Sequence, residues 1–218
     1  MKNGSDLIGK SGLQFFGRMS ASISHELKNA LAIIKENSGL LTDYLAMAAK
    51  GMAVEPQRFQ TVASRIEAQT VRADAIIKNL NQFAHTVDSV DKPVDLNEIL
   101  ALLVALHNRP AAMQQVSLAP CFAETPVVIT TAPFLLLNAL GLALNFALKG
   151  IAQDGTLSIT VLDSQTEASF AFGKLEMPSG TPGPEYPQAQ DSALLTAIGA
   201  KARMGNGNNQ LIIAFPRP

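Results

Sequence analysis

Two long heptad repeats, separated by a short break, constrain the fold of this chain more than any other feature of its sequence. Apolar residues recur at alternating spacings of three and four over residues 16–47 and again over residues 59–83. Such spacing places the apolar side chains on one face of an α-helix. The break contains Gly51 and ends at Pro56, a residue suited to the first turn of a helix. The sequence therefore predicts two antiparallel helices joined by a short turn.

The apolar face of the first helix is broader than contact with a single partner helix requires. A second stripe flanks the first repeat and consists of Leu27, Leu31, Ile34, Leu41 and Leu45. Burying each such side chain stabilises a fold by roughly 1.5–3 kcal/mol, so leaving the stripe in water is costly. The simplest cover is a second copy of the hairpin, which gives a homodimeric four-helix bundle. Asn37 and Gln69 fall on seam positions and are interpreted as polar layers that set the register.

The second half of the chain has a different pattern, beginning after a linker at residues 86–93. Short alternating strands are predicted at residues 94–96, 116–122, 126–130, 155–162, 168–175 and 209–215. Helices are predicted at residues 98–113, 132–149 and 192–203, and residues 1–12 are predicted to be a frayed tail. The fold class is therefore α+β, with an antiparallel helical hairpin forming a dimeric four-helix bundle followed by an α/β sandwich.

Composition excludes several classes of protein. The net charge of −1 gives no electrostatic case for binding nucleic acid or an anionic membrane. Cys121 is the only cysteine, which excludes an internal disulfide and suits a reducing cytoplasm. No apolar run is long enough to span a bilayer, and the first ten residues lack the apolar core of a secretory signal. We therefore expect a cytoplasmic globular protein.

A polar island, Ser24-His25-Glu26-Leu27-Lys28-Asn29, interrupts the first repeat. His25 and Asn29 are four residues apart and share a helix face, while Glu26 lies about 100° around the helix from His25. A neutral imidazole nitrogen can attack phosphorus, and a neighbouring carboxylate can hold the tautomer or accept a proton. An amide can position a water molecule or a phosphoryl group. The island therefore predicts phosphoryl transfer on His25.

Each of these residues also has a structural interpretation. A single histidine in a helix is usually structural, but His25 lies two residues after Ile23 and therefore off the apolar face. Glu26 falls on a seam position and is alternatively a half-buried acid that sets specificity. Asn29 is alternatively a solvated helix residue. His107, which precedes Asn108-Arg109-Pro110, is predicted to be exposed.

The residues around His25 resemble a known family. The pattern Phe16-x-x-Met19-x-x-x-Ile23-Ser24-His25-Glu26-Leu27-Lys28-Asn29 resembles the H-box of bacterial sensor histidine kinases. Arg72-Ala73-Asp74-x-Ile76-Ile77-x-Asn79-Leu80 resembles the second dimerisation helix of these kinases, and Val94-Asp95-Leu96-Asn97-Glu98-Ile99-Leu100 is similar to the opening of their ATP-binding domain. The resemblance extends over nearly the whole chain from about residue 14, although Ala30 stands where the family usually has proline.

The resemblance implies roles for these residues and a division into two domains. His25 would be the phospho-acceptor, Glu26 the adjacent acid that assists it, and Asn29 a residue used in dephosphorylating the partner. Residues 13–88 would be the dimerisation and histidine phosphotransfer hairpin. Residues 94–216 would be a degenerate ATPase-like (GHKL-type) α/β sandwich.

Three elements of the family's nucleotide site are missing from the sequence. Asn145 matches the metal-binding asparagine, but Gly141 and Leu148 replace the amide and the acid expected beside it, and Mg²⁺ prefers several hard oxygen ligands. No aspartate occurs at residues 164–190, where the family has the aspartate that reads adenine. The phosphate-binding glycine loop is replaced by Gly180-Thr181-Pro182-Gly183-Pro184, whose prolines lack N–H donors. Asn145 is therefore interpreted as a buried, hydrogen-bonded remnant.

These observations lead to one favoured hypothesis and two alternatives. The favoured hypothesis is a histidine phosphotransferase, in which His25 exchanges a phosphoryl group with an aspartate of a response-regulator receiver domain. The receiver would supply Mg²⁺, and the chain would bind no cofactor or metal of its own. The first alternative is an active sensor kinase, divergent or truncated, that phosphorylates His25 from ATP. The second is a non-catalytic dimeric scaffold that only binds a regulator.

Overall fold

The computed structural model describes residues 2–173, 175, 186–205 and 209–217. The proline-containing loop at residues 180–184, on which part of the nucleotide-site argument depends, lies outside these residues. The chain divides into two compact units, residues 19–82 and residues 1–18 together with 83–218. In chain order the elements are α1 (Lys2–Ala49), α2 (Pro56–Ala84), β1 (Lys92–Asp95), α3 (Leu96–Met113), β2 (Ser117–Cys121), β3 (Val128–Thr131), α4 (Pro133–Leu148), β4 (Thr156–Asp163), β5 (Glu167–Gly173), α5 (Ala189–Ala197), β6 (Lys201–Met204) and β7 (Gln210–Pro216).

The predicted helical hairpin is confirmed. Gly51, at a φ of +76°, ends α1, and the N–H of Met52 donates to the carbonyl oxygen of Met47 at 3.1 Å. This is the hydrogen-bond pattern in which a left-handed glycine closes a helix. α2 then begins at Pro56, as predicted. Within residues 19–82 the seam is formed by buried side chains at heptad positions: Met19, Ile23, Ala30, Asn37, Val62, Ala73 and Ile76.

The prediction of a frayed tail at residues 1–12 is wrong, because α1 begins at Lys2. Ser11 and Phe15 are both buried, within the unit that contains α3 and α4. Tertiary packing of this kind outweighs the poor helix propensity of the glycines and serines in the segment. Phe15 is also the buried aromatic residue at this level of the helix, whereas the repeat assigned Phe16, which is 40% exposed, to the seam.

The predicted α/β sandwich, in which a sheet packs against helices, is confirmed. The five-stranded sheet has the order β2-β4-β5-β7-β6, with β2 parallel to β4 and every other neighbouring pair antiparallel. β1 and β3 form a separate antiparallel pair. α3 and α4 pack against the larger sheet, and α4 is buried along most of its length, as its apolar sequence predicted. Among the described residues, no helix is both long enough and apolar enough to cross a membrane.

The prediction that the last helix reaches residue 203 is wrong. α5 ends at Ala197, and Gly199, at a φ of +68°, turns the chain. The N–H of Ala200 donates to the carbonyl oxygen of Leu195 at 2.8 Å, which closes the helix in the same way as at the end of α1. Residues 201–204 then form β6, which pairs with β7. Pairing with β7, the next strand in the chain, decides the conformation here.

Candidate functional site

His25 lies on the exposed face of α1. Ile23, two residues earlier, is buried in the seam with 6% of its surface exposed. Two residues correspond to about 200° around a helix, so a buried Ile23 directs His25 toward solvent. The heptad period that forms the seam therefore also places the imidazole where a partner protein can reach it, as the sequence predicted.

Glu26 and Asn29 occupy different environments beside His25. Glu26 is half-buried, since it falls on the margin of the apolar face, whereas Asn29 is exposed and lies one turn after His25 on the same face. Ala30 is fully buried, and the helix continues through it without interruption. The geometry brings an imidazole and an amide together on one exposed face with a carboxylate at its edge. The catalytic roles of these residues remain predictions.

The seam below this site contains a buried polar layer. Asn37 is 5% exposed, and its Nδ2 donates to the carbonyl oxygen of Ile33 at 2.8 Å. Its Oδ1 and the Oε1 of Gln69 are buried without a hydrogen-bond partner among the described residues. Burying these oxygens without a partner costs free energy, so they favour a helix register in which they meet one. The layer fits the register-setting role predicted for these two residues.

Asn145 is exposed, which corrects the prediction that it is a buried remnant. It lies near the end of α4, on the side of the helix that faces away from the sheet, and it borders a cavity of about 150 Å³. Lining residues of the cavity are Leu142, Asn145, Phe146, Lys149, Tyr186, Gln188 and Asp191. The sequence therefore identified Asn145 as a candidate site residue but did not predict that it is exposed beside a cavity.

Tyr186 and Asp191 complete the cavity, and sequence analysis identified neither. The Tyr186 ring lies 5.0 Å from the ring of Phe146, and its hydroxyl is buried without a hydrogen-bond partner among the described residues. Burial raises the pKa of the Tyr186 phenol, and the charge of Asp191 raises it further. The Asp191 carboxylate accepts a hydrogen bond from the backbone N–H of Gln188 at 2.9 Å, as part of the cap of α5. No local pattern in the sequence indicates this cavity, because it forms between distant segments.

The prediction that His107 is exposed is wrong. It was expected to be exposed beside a proline, but it is 2% exposed within the unit that contains α3 and α4. Helix α3 continues through Pro110 to Met113, so the Asn108-Arg109-Pro110 segment is helical. His107 is therefore turned toward the interior of this unit rather than toward solvent.

Comparison with known proteins identifies the hairpin. Residues 17–86 match the family model described as His Kinase A (phospho-acceptor) domain. The resemblance to histidine kinases is confirmed for the hairpin. The matched range contains His25, Glu26 and Asn29 and includes α1 from residue 17 onward and the whole of α2. Comparison with curated proteins found no matching sequence.

Solved structures of histidine kinases also match the chain. A histidine kinase from Burkholderia phymatum aligns with a TM-score of 0.47 and 13% identity over 92% of this chain and 97% of that one. Acinetobacter baumannii histidine kinase AdeS aligns with a TM-score of 0.45 and 11% identity over 84% and 94%. Histidine kinase ThkA, crystallised with response regulator protein TrrA, aligns with a TM-score of 0.45 and 17% identity over 94% and 63%.

Proposed function

We propose that the chain is a histidine phosphotransferase of two-component signalling, in which His25 exchanges a phosphoryl group with an aspartate of a response-regulator receiver domain. The observation that carries the proposal is the exposed position of His25 on a helix that matches the phospho-acceptor domain model. The lone Cys121 is consistent with a cytoplasmic location for this relay.

The transfer is a displacement at phosphorus. A ring nitrogen of His25 attacks the phosphoryl group of the aspartyl phosphate, the new N–P bond forms as the O–P bond breaks, and the aspartate leaves as a carboxylate. Glu26, half-buried beside the ring, holds the imidazole in the attacking tautomer. The reverse step returns the phosphoryl group to aspartate, and a Mg²⁺ ion supplied by the receiver would offset the charge of the phosphoryl group. In phosphatase action, Asn29 positions the water that attacks the aspartyl phosphate.

We also propose that the chain has no working ATP site of its own. Support comes from the environment of Asn145, whose cavity of about 150 Å³ is smaller than the roughly 300–1,000 Å³ of typical ligand pockets. Phe146 and Tyr186 occupy space on one side of the cavity, and Asp191 is engaged in capping α5. The described residues fit a magnesium nucleotide poorly, since its phosphates and metal require several hard oxygen ligands.

An ATP-dependent kinase is the second candidate. The observation in its favour is that Asn145 and Lys149 both border the cavity, so an amide and a cation are available there. The two candidates differ in whether nucleotide binds, and titration of the purified full chain with magnesium ATP, followed by calorimetry, separates them. If the chain is a phosphotransferase without an ATP site, we expect no binding heat up to millimolar ATP. A saturable heat that disappears in Asn145→Ala would contradict the absence of an ATP site, and ATP-dependent labelling of His25 would then establish the kinase.

The phosphotransferase is proposed to act as a homodimer formed through the hairpin. Large apolar side chains of residues 19–82 remain exposed in the single chain: Leu31, Leu45, Met52, Val71 and Ile77. Covering such a stripe with a second copy removes apolar surface from water at a gain of roughly 25 cal/mol per Å². A two-fold axis would also give each dimer two copies of the His25 face.

A further inference from the structure

The imidazole of His107 has one satisfied and one unsatisfied nitrogen. Nδ1 donates to the carbonyl oxygen of Leu103 at 2.9 Å, so the neutral ring carries its proton on Nδ1 and presents Nε2 as an acceptor. Nε2 is buried and has no hydrogen-bond partner among the described residues. A proton on Nε2 would create a buried cation with an unsatisfied donor, which is strongly unfavourable. The packing around His107 therefore selects the neutral ring.

The first turns of α1 cover this ring. Phe15 stacks against His107, with 6.4 Å between ring centroids and an angle of 18° between the planes. One turn earlier, Asn138 Nδ2 donates to Ser11 Oγ at 3.1 Å, and both residues are buried. A Cβ atom at Gly141 would lie 3.1 Å from the Phe15 ring and 3.3 Å from His107 Nε2. Glycine at this position therefore lets Phe15 and His107 pack closely against α4.

Burial and one nearby positive charge oppose protonation of the ring. Burial is the main cause that lowers the pKa of His107 from 6.5 to about 4; the bond to Leu103 acts in the opposite direction, and the positive charge of Arg18 lowers the pKa further. Arg18 belongs to α1, the covering helix, whereas α4 has no ionisable side chain. The other ionisable residues of α3 are Glu98 and Arg109, and those of the first turns of α1 are Lys2, Asp6 and Lys10.

We propose that the first turns of α1, residues 2–18, form a proton-sensitive latch that opens when a proton binds His107 Nε2 and displaces Phe15. The closed latch is fully stable above pH 6.5 and loses stability as the pH falls from 6.5 to about 4, because the open state binds the proton more tightly. At pH 5.5 the opening equilibrium is raised up to about tenfold over its value at neutral pH. The latch segment and His25 are parts of one continuous helix, but the proposal does not depend on phosphorylation of His25.

Hydrogen exchange of the full chain at pH 7.5 and pH 5.5 tests the latch. Protection factors, corrected for the intrinsic pH dependence of exchange, are measured for the amides of residues 6–18 and of β4 and β5. In the wild type we expect protection of residues 6–18 to fall up to about tenfold at pH 5.5, while β4 and β5 stay protected. His107→Leu should abolish this response. His85→Gln is the matched control, since His85 is exposed and paired with Asp88 at 2.7 Å, and it should retain the response.

A second variant keeps the test valid if His107→Leu does not fold. Arg18 is exposed, and Arg18→Gln removes the positive charge that disfavours protonation of His107. This raises the pKa of His107 in the closed state only, so the loss of protection on acidification should be smaller than in the wild type and should level off at a higher pH. The proposal is overturned if protection of residues 6–18 is independent of pH, if the response persists in His107→Leu, or if β4 and β5 lose protection to the same extent.

Discussion

At the scale of single residues, exposure along α1 follows from sequence wherever it depends on the helix period alone. The period placed Ile23 in the seam and His25 outside it, and the structure agrees. It failed for His107 and Asn145, whose environments depend on which distant elements pack against α3 and α4. A helix pattern shows that a residue faces the fold, but it does not show which segment will cover it.

Asn29 provides a test at this scale. Asn29→Ala removes the amide that shares a face with His25, so the phosphatase reaction should slow by about tenfold to a hundredfold as water positioning is lost. Transfer to His25 should change little, because the nucleophile remains. The measurement is the rate of phosphate loss from a phosphorylated receiver domain in the presence of each variant.

Ser38→Ala is the matched control for Asn29→Ala, since Ser38 is exposed further along α1. It should leave both rates at the wild-type value. Equal rates of phosphate loss with Asn29→Ala and Ser38→Ala would show that Asn29 is only a solvated helix residue.

At the scale of elements, the sequence predicted those whose signal is local. α2 begins at Pro56 because proline fits the first turn of a helix, and α3 begins after Asp95, whose carboxylate accepts a hydrogen bond from the N–H of Asn97 at 2.9 Å. The first turns of α1 and strand β6 were missed because packing of Phe15 and pairing with β7 decide them. Neither of these contacts can be recognised from the sequence of the segment that it orders.

The end of α2 depends on one buried aromatic side chain. Phe83 is fully buried, and its ring centroid lies 5.6 Å from that of Phe15 and 6.2 Å from that of Phe134. Phe83→Ala should lower the free energy of unfolding by about 3–5 kcal/mol, since it leaves a cavity among aromatic rings. Urea unfolding followed by circular dichroism measures the change. Phe122→Ala, at a residue that is 53% exposed, should cost less than about 1 kcal/mol; similar losses in both variants would contradict the assigned packing.

At the scale of the whole molecule, the layers were predictable and the order of the strands was not. Alternating apolar residues predicted strands at residues 155–162 and 168–175, and the structure has them as the antiparallel pair β4 and β5. The position of β7 between β5 and β6 was not predictable, because it depends on pairing between segments distant in sequence. The sequence likewise predicted a candidate phospho-acceptor site around His25, which lies on one helix, but not the cavity beside Asn145, which needs two segments.

The proposed homodimer is a prediction at this scale. Sedimentation equilibrium should give a mass about twice that of the 23.1 kDa chain. Ile77→Glu, at an exposed apolar position of α2, should shift the protein toward monomer, because a charge in an apolar contact is costly. Val90→Glu is the control, since Val90 is 85% exposed outside the hairpin and should leave the mass unchanged. A monomeric wild type at micromolar concentration would contradict the dimer.

The central claim is that His25 receives its phosphoryl group from a receiver domain, and transfer of label tests it most directly. The full chain is mixed with receiver domains from the same organism that carry a radiolabelled aspartyl phosphate, and label on the chain is measured over time. The account predicts acid-labile label on the wild type and none on His25→Gln, with no ATP present. Absence of label on the wild type from every receiver tested, or equal labelling of His25→Gln, would contradict the account.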